Sequence, residues 1–211
     1  MERKVISFEE ALLSLDHQKL KALIEQSSQT ETNIHVVENL IVPALERIGN
    51  GWEQGDIALS QVYMSSRICE ELVDDMLPVQ SPERKNQPKM AITSLEDYHL
   101  MGKRIVYSVL RSSGFELQDY GRTTVDTLVN KAIDDKLQIL LISTLMLHSA
   151  LRVKEVNHQF LQKQVNIKIV VGGAPFLFDH NLWREVGADA LGKSASASVG
   201  LISTIMGELS S

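Results

Sequence analysis

The rhythm of apolar positions changes once along this chain, near residues 78–88. Before that point apolar residues recur at three- and four-residue intervals, the period of a helix with one face on a core. The spacing predicts helices over 8–15, 16–25, 33 to about 49, and 59–77. Ser7 followed three residues later by Glu10 is a capping box, which sets the start of the first helix. In the fourth, Val62, Ile68, Leu72 and Met76 lie on one stripe. Together they predict a four-helix bundle over residues 1–80. From Pro78 to Pro88 the sequence is polar with a proline at each end, which marks a linker, assigned to 81–88.

Beyond the linker, short β-branched runs alternate with helical stretches. Strands are predicted over 90–94, 116–120, 139–144, 167–171 and 189–191, with a helix over 102–113 and a last one over 196–209. Such alternation means βαβ units and a parallel sheet, so residues 89–211 are expected to form an α/β domain. Five strands fit a flavodoxin-like, Rossmann-like order, in which ligands bind beyond the carboxyl ends of the strands at the topological switch point. The residues just past each strand are Asp97 and His99, then Gly121, then 143–149, then Gly172-Gly173, then 192–195. Glycines at such places let a bulky ligand approach the backbone, although glycine is common at any strand-to-helix turn.

Composition narrows the function. The 211 residues are enough for two domains, each with its own core. A net charge of -6 with scattered signs argues against a nucleic-acid partner, which would want a basic face. Cys69 is the single cysteine, so neither an internal disulfide nor a cysteine metal site can form. No apolar run approaches the roughly 20 residues of a membrane span, and Met1-Glu2-Arg3-Lys4 is not followed by a signal-peptide core. No membrane association and a cytoplasmic location are therefore expected.

The chemistry concentrates in Asp97-Tyr98-His99-Leu100-Met101-Gly102, at the exit of the first strand. If His99 holds a metal, Asp97 can accept a hydrogen bond from its second ring nitrogen, fixing the tautomer and raising ligand basicity. The same residues also fit a histidine that merely caps a loop. The spacing Asp-x-His-x-x-Gly, followed by Ile142-Ser143-Thr144-Leu145 and by Val170-Val171-Gly172-Gly173-Ala174, resembles the cobalamin-binding module shared by methionine synthase and the small corrinoid proteins of anaerobic methyl transfer. The resemblance implies cobalamin as cofactor, bound with its own nucleotide base displaced and with His99 as the lower cobalt ligand. It places the nucleotide tail in a slot lined by Ser143, Leu145, Gly172, Gly173 and Ala195, with Tyr98 and Gly102 in the ligand loop. Ser149 matches a serine that joins the ligand histidine and its aspartate in a proton relay, and it equally suits a first-turn helix cap. Leu147 stands where a hydroxyl residue often contacts the nucleotide loop.

The N-terminal region resembles the helical cap of the same proteins, through the segment Pro43 to Asp56 with Trp52 and, seven residues on, Leu59. There the aromatic and aliphatic pair covers the upper corrin face, with Glu38 nearby; on pattern alone, Trp52 and Leu59 could also be bundle core. Related light sensors carry Glu-His where this chain has Val62-Tyr63, so the sensor's upper ligand is missing. The function implied is a corrinoid protein that carries a methyl group from a donor-specific methyltransferase to an acceptor methyltransferase for a folate or thiol. A reductive activase is a further implied partner, and the linker would serve as a hinge. A cobalamin sensor or storage protein remains an alternative. A response-regulator reading is disfavoured, because Ser143-Thr144 stands where a phospho-acceptor aspartate is wanted.

Overall fold

The computed structural model describes residues 2–76 and 87–209, which form two compact units. One comprises the described residues up to 87 together with 108–115; the other comprises 88–107 and the described residues from 116 on. Residues 81–86 of the expected linker, and the hinge assigned to it, lie outside the described residues.

The first unit is helical: α1 (Glu2–Leu13), α2 (His17–Ser28), α3 (Asn33–Val36), a π-helical turn (Val37–Ile41), α4 (Val42–Gln54) and α5 (Leu59–Met76). The predicted capping box is not a helix start. Ser7 lies inside α1, because the buried stripe begins earlier, at Val5, and continues through Phe8 and Leu12. Asp16 and Thr32 do cap, accepting from the N–H groups of Lys19 and His35. The buried face of α5 runs through Val62, Ser66, Cys69 and Val73, so Leu72 and Met76 of the expected stripe are only partly covered.

The second unit holds β1 (Met90–Leu95), the start of α6 (Met101–Ser112), β2 (Gln118–Thr123), α7 (Val125–Asp134), β3 (Ile139–Ser143), α8 (Leu147–Gln162), β4 (Lys168–Gly172), α9 (Ala174–Phe178), α10 (Leu182–Glu185), β5 (Ala190–Gly192) and α11 (Ala195–Leu209). All strand pairs are parallel, in the order β2-β1-β3-β4-β5, the expected flavodoxin-like sheet. β1 is buried along its whole length, as a central parallel strand covered on both faces must be. One face packs Ala91, Leu95, Leu140, Ile142, Ile169 and Val171 against α7 and α8. The strand order reverses between β1 and β3, which puts the switch point at the loops after them.

The expected bounds of one strand are corrected here. β2 starts two residues later than predicted and runs on through Gly121, which lies inside the strand rather than after it. Its pairing with β1 slips by one residue past Ile92, and Gly121 supplies the positive φ (+67°) of that bulge. Of the residues expected in the α/β domain over 89–211, 108–115 cluster with the helical unit. Polar groups on that end of α6 are buried and need partners: Ser108 Oγ donates to Glu70 Oε2 at 2.9 Å, and Arg111 Nη2 to Asp74 Oδ1 at 2.6 Å.

Candidate functional site

At the switch point one carboxylate organises two loops. Asp97, 2 % exposed, follows β1 and accepts four hydrogen bonds. Its Oδ2 takes the backbone N–H groups of Leu145 at 2.7 Å and Met146 at 2.9 Å, in the loop after β3. Its Oδ1 takes the N–H of His99 at 3.0 Å and faces His99 Nδ1 at 2.7 Å. Burial works against ionisation, but the bonds from His99, Met146 and Leu145 outweigh it and hold the carboxyl well below the usual carboxylate range. An ionised carboxylate can only accept, so Nδ1 carries the proton and the Nε2 lone pair of the neutral ring is left outward. The His99 side chain is 56 % exposed, so Nε2 is accessible. That arrangement suits a histidine ligand to a transition metal, with its supporting carboxylate already in place.

The surroundings fit a large planar, partly apolar group. Tyr98, Met101, Leu145, Met146 and Leu147 are each between 45 and 79 % exposed, an apolar set around the two loops. The Arg122 guanidinium lies 3.9 Å over the Tyr98 ring. Gly102 opens α6 next to the site, and an added Cβ would meet only Ser143 Oγ, at 3.7 Å. The fold itself does not require glycine there, which leaves room for a ligand. Thr144 Oγ1 is buried and has no hydrogen-bond partner among the described residues, as a donor awaiting an absent acceptor would be.

Other expected residues need a different physical account. Gly173 has φ +116°, and a Cβ there would come within 1.8 Å of Thr144 O; a Cβ on Gly172 would lie 3.1 Å from Gly192 O. Gly173 is therefore demanded by the chain's own backbone, while Gly172 is tight but not excluded for a larger residue. Ser143 and Ala195 are half-buried at the same sheet edge, ending β3 and opening α11. Ser149 is buried, yet it does not join Asp97. Its Oγ donates to Glu96 O at 3.2 Å and lies 3.2 Å from His148 Nε2, so the expected relay is not formed. The four acceptor positions of Asp97 are already taken.

In the helical unit Trp52 and Leu59 flank the turn closed by Gly55 at φ +87°. They are 40 and 41 % exposed, which is not how bundle core residues sit. Glu38 is exposed on the π-helical turn, a helix irregularity that often marks a functional position.

The sequence reading missed three features. Glu96, at φ +48°, carries no signal of its turn in the sequence. The amides of Leu145 and Met146 act through backbone, which no side-chain motif reveals. Lys103, 2 % exposed and paired with Asp119, could have been noticed as a charge on the inner face of α6; Asp119 also accepts the Gly121 N–H at 2.7 Å, tying the bulge down. Among the described residues no helix is long and apolar enough to cross a membrane, and no cluster of three metal-ligating side chains occurs.

Comparison with known proteins agrees with this geometry. The family described as "B12 binding domain" matches residues 89–202, and a second family with the same description matches 7–74. The trimethylamine corrinoid protein of Methanosarcina barkeri is 32 % identical over 178 residues, covering 79 % of each chain. Among solved structures, a cobalamin-binding protein from Desulfitobacterium hafniense superposes with TM-score 0.76 at 19 % identity, covering 95 % of this chain and 98 % of that one. The methanol:cobalamin methyltransferase complex of Methanosarcina barkeri superposes with TM-score 0.64 at 18 % identity, covering 97 % and 80 %. The matches in both halves, over a site with one outward histidine nitrogen among exposed apolar side chains, show that the chain belongs to the B12-binding domain family, with cobalamin as its cofactor.

Proposed function

We propose that this chain is a methyl-carrying corrinoid protein that holds cobalamin through His99 Nε2, with the cofactor's own base displaced. The observation that carries the reading is the Asp97–His99 pair, whose 2.7 Å hydrogen bond leaves Nε2 free at the sheet edge. When bound, the cobalt supplies the atom that accepts and gives up the methyl group. The chain's own residues supply the rest. Asp97 keeps the proton on Nδ1 and the lone pair on Nε2. The loop residues Tyr98 and Leu145, with Gly102 and Ser143, face the ring and the start of the nucleotide tail. Gly172, Gly173 and Ala195 shape the wall along β4 and β5, and Thr144 Oγ1 is a free donor for a tail oxygen.

Trp52 and Leu59, as exposed apolar side chains, are the residues assigned to exclude water from the reactive upper face at rest, with Glu38 as their polar neighbour. The unit boundaries we assign for this role are 1–80 for the cap, 81–88 for the connection and 89–211 for the cofactor domain. The methyl group comes from a donor-specific methyltransferase and leaves to a folate or thiol methyltransferase, with a reductive activase as the third partner. Support for the class comes from the similarity to a trimethylamine corrinoid protein and to a chain of a methanol:cobalamin methyltransferase complex. Ser149 remains a candidate for proton movement only through its neighbour His148, which it touches.

The test is paramagnetic resonance of the cob(II)alamin-loaded chain labelled with ¹⁵N-histidine. Coupling to ¹⁵N, lost in His99→Ala, is the expected result; coupling to an unlabelled cofactor nitrogen would overturn the ligation. Demethylation of the methylcobalamin-loaded chain by an added thiol or folate methyltransferase then separates a carrier from a storage protein, which would keep its methyl group.

A further inference from the structure

The turn that leads into the ligand loop is made by a residue badly suited to it. Glu96 adopts φ +48°, in the left-handed region that glycine enters freely and side chains rarely do. Its polar groups are all engaged. The N–H donates to Thr123 O at 2.8 Å, and the C=O accepts from Ser149 Oγ at 3.2 Å. Oε1 accepts from the Val125 N–H at 3.3 Å and Oε2 from Arg152 Nε at 3.1 Å. One residue is thus fastened to the end of β2, the first turn of α7 and the face of α8. Arg152 is itself held by Glu155.

A glycine would make this turn without strain but could not make the two side-chain bonds. Strain that persists beside a functional loop points to a side chain kept for what it fastens. The next residue is Asp97, whose buried carboxylate aims His99. From this we infer that Glu96, braced by Arg152, is a positioning residue for the lower-ligand loop: it fixes the direction of Asp97 and, through it, the aim of His99 Nε2. The inference rests on the reading of His99 as the lower cobalt ligand.

The test uses the full chain loaded with cob(II)alamin and labelled with ¹⁵N-histidine, measured well below its melting temperature. Glu96→Gly keeps the turn and removes the brace. The cofactor-free variant is expected to melt no lower than the parent, while the fraction of cobalt coupled to ¹⁵N falls and the cobalamin Kd rises about tenfold, as for other supporting residues of metal ligands. Arg152→Met should move the coupled fraction in the same direction by less, and Glu96→Gln, which still accepts from Val125, should restore most of it. If Glu96→Gly keeps the parent's coupling and affinity, Glu96 only caps α7 and the inference is wrong. Parent-like coupling in Arg152→Met beside a loss in a folded Glu96→Gly would remove Arg152 alone from it. Should the glycine variant fail to fold, Arg152→Met decides, since its side chain is 42 % exposed and outside the core. His99→Ala separates the two failures: coupling that survives there overturns the ligand reading itself, whereas coupling lost there but unchanged in the Glu96 and Arg152 variants overturns only the brace.

Discussion

Replacing Asp97 by Asn changes almost no volume and yet should undo the site twice. An amide offers one acceptor where the carboxylate offers two. Whichever way it turns, an NH2 group faces either the amides of Leu145 and Met146 or the N–H and Nδ1 of His99, all now bonded at 2.7–3.0 Å. Leaving a fully buried donor unmet costs about 1–3 kcal/mol; these donors are part-buried, so the two together are expected to cost about 2 kcal/mol. The second effect is chemical. An NH2 facing Nδ1 favours the tautomer with hydrogen on Nε2, which removes the lone pair that would meet the metal. Urea unfolding of the cofactor-free chain measures the first effect, and ¹⁵N-histidine coupling in the cob(II)alamin form measures the second, with ligation expected to weaken about 10 to 100-fold. An Asn variant equal to the parent in both would refute the assignment of Asp97 as organiser of the two loops.

Further expectations can be checked alongside. The Asp97 carboxyl is held below its ordinary range on folding, so its contribution is fully present above the unfolded value, about 3.9, and is lost as pH falls through the lower folded value. The stability gap between parent and Asp97→Asn, followed by denaturation at stepped pH, should therefore stay flat near neutrality and close only in strong acid; a gap that closed between pH 6 and 7 would point to another group. Gly173→Ala should cost stability even without cobalamin, by about 2 kcal/mol or more, because φ +116° and contact with Thr144 O both oppose a Cβ; Gly172→Ala, with its milder 3.1 Å approach, should cost less, and equal melting curves for the three chains would contradict this. Trp52→Ala with Leu59→Ala should cost less stability than truncating fully buried residues of the same size, since both are about two-fifths exposed, and should hasten photolysis of bound methylcobalamin. Trp183→Ala, at a residue partly buried against the α/β core, should lower stability without hastening photolysis; unchanged photolysis in the double variant removes the capping role.

What the sequence made legible was whatever repeats or alternates. The parallel sheet followed from five short apolar runs, and its order from their number, because central strands must be apolar on both faces. The pairing of Asp97 with His99 was legible because its chemistry sits in two side chains at fixed spacing on one loop. Backbone-borne features were not. The shift of β2 came from one unpaired residue beside Gly121, which a period-two pattern cannot register. The true start of α1 was hidden by a Ser7–Glu10 pair with the right spacing in the wrong place. Ser149 was matched by spacing alone, and the structure shows its hydroxyl turned to Glu96 O instead. The loop after β3 reaches Asp97 through two amides, so no reading of its side chains could have found that contact.

The four bonds of Asp97 also bear on how quickly the site fills. Ordering a loop residue costs roughly 1–2 kcal/mol of backbone entropy, and here the loops after β1 and β3 are already tied together by a buried anion. That expense falls on folding, not on loading, so the incoming corrinoid finds a receptor whose histidine is aimed in advance. On the proposed base-off binding, the slow event left in loading belongs to the cofactor, which would have to let go of its own base before His99 could replace it. A corrinoid that lacks the nucleotide base should therefore load faster than cobalamin, even though it forfeits the grip of the tail and leaves the site more readily.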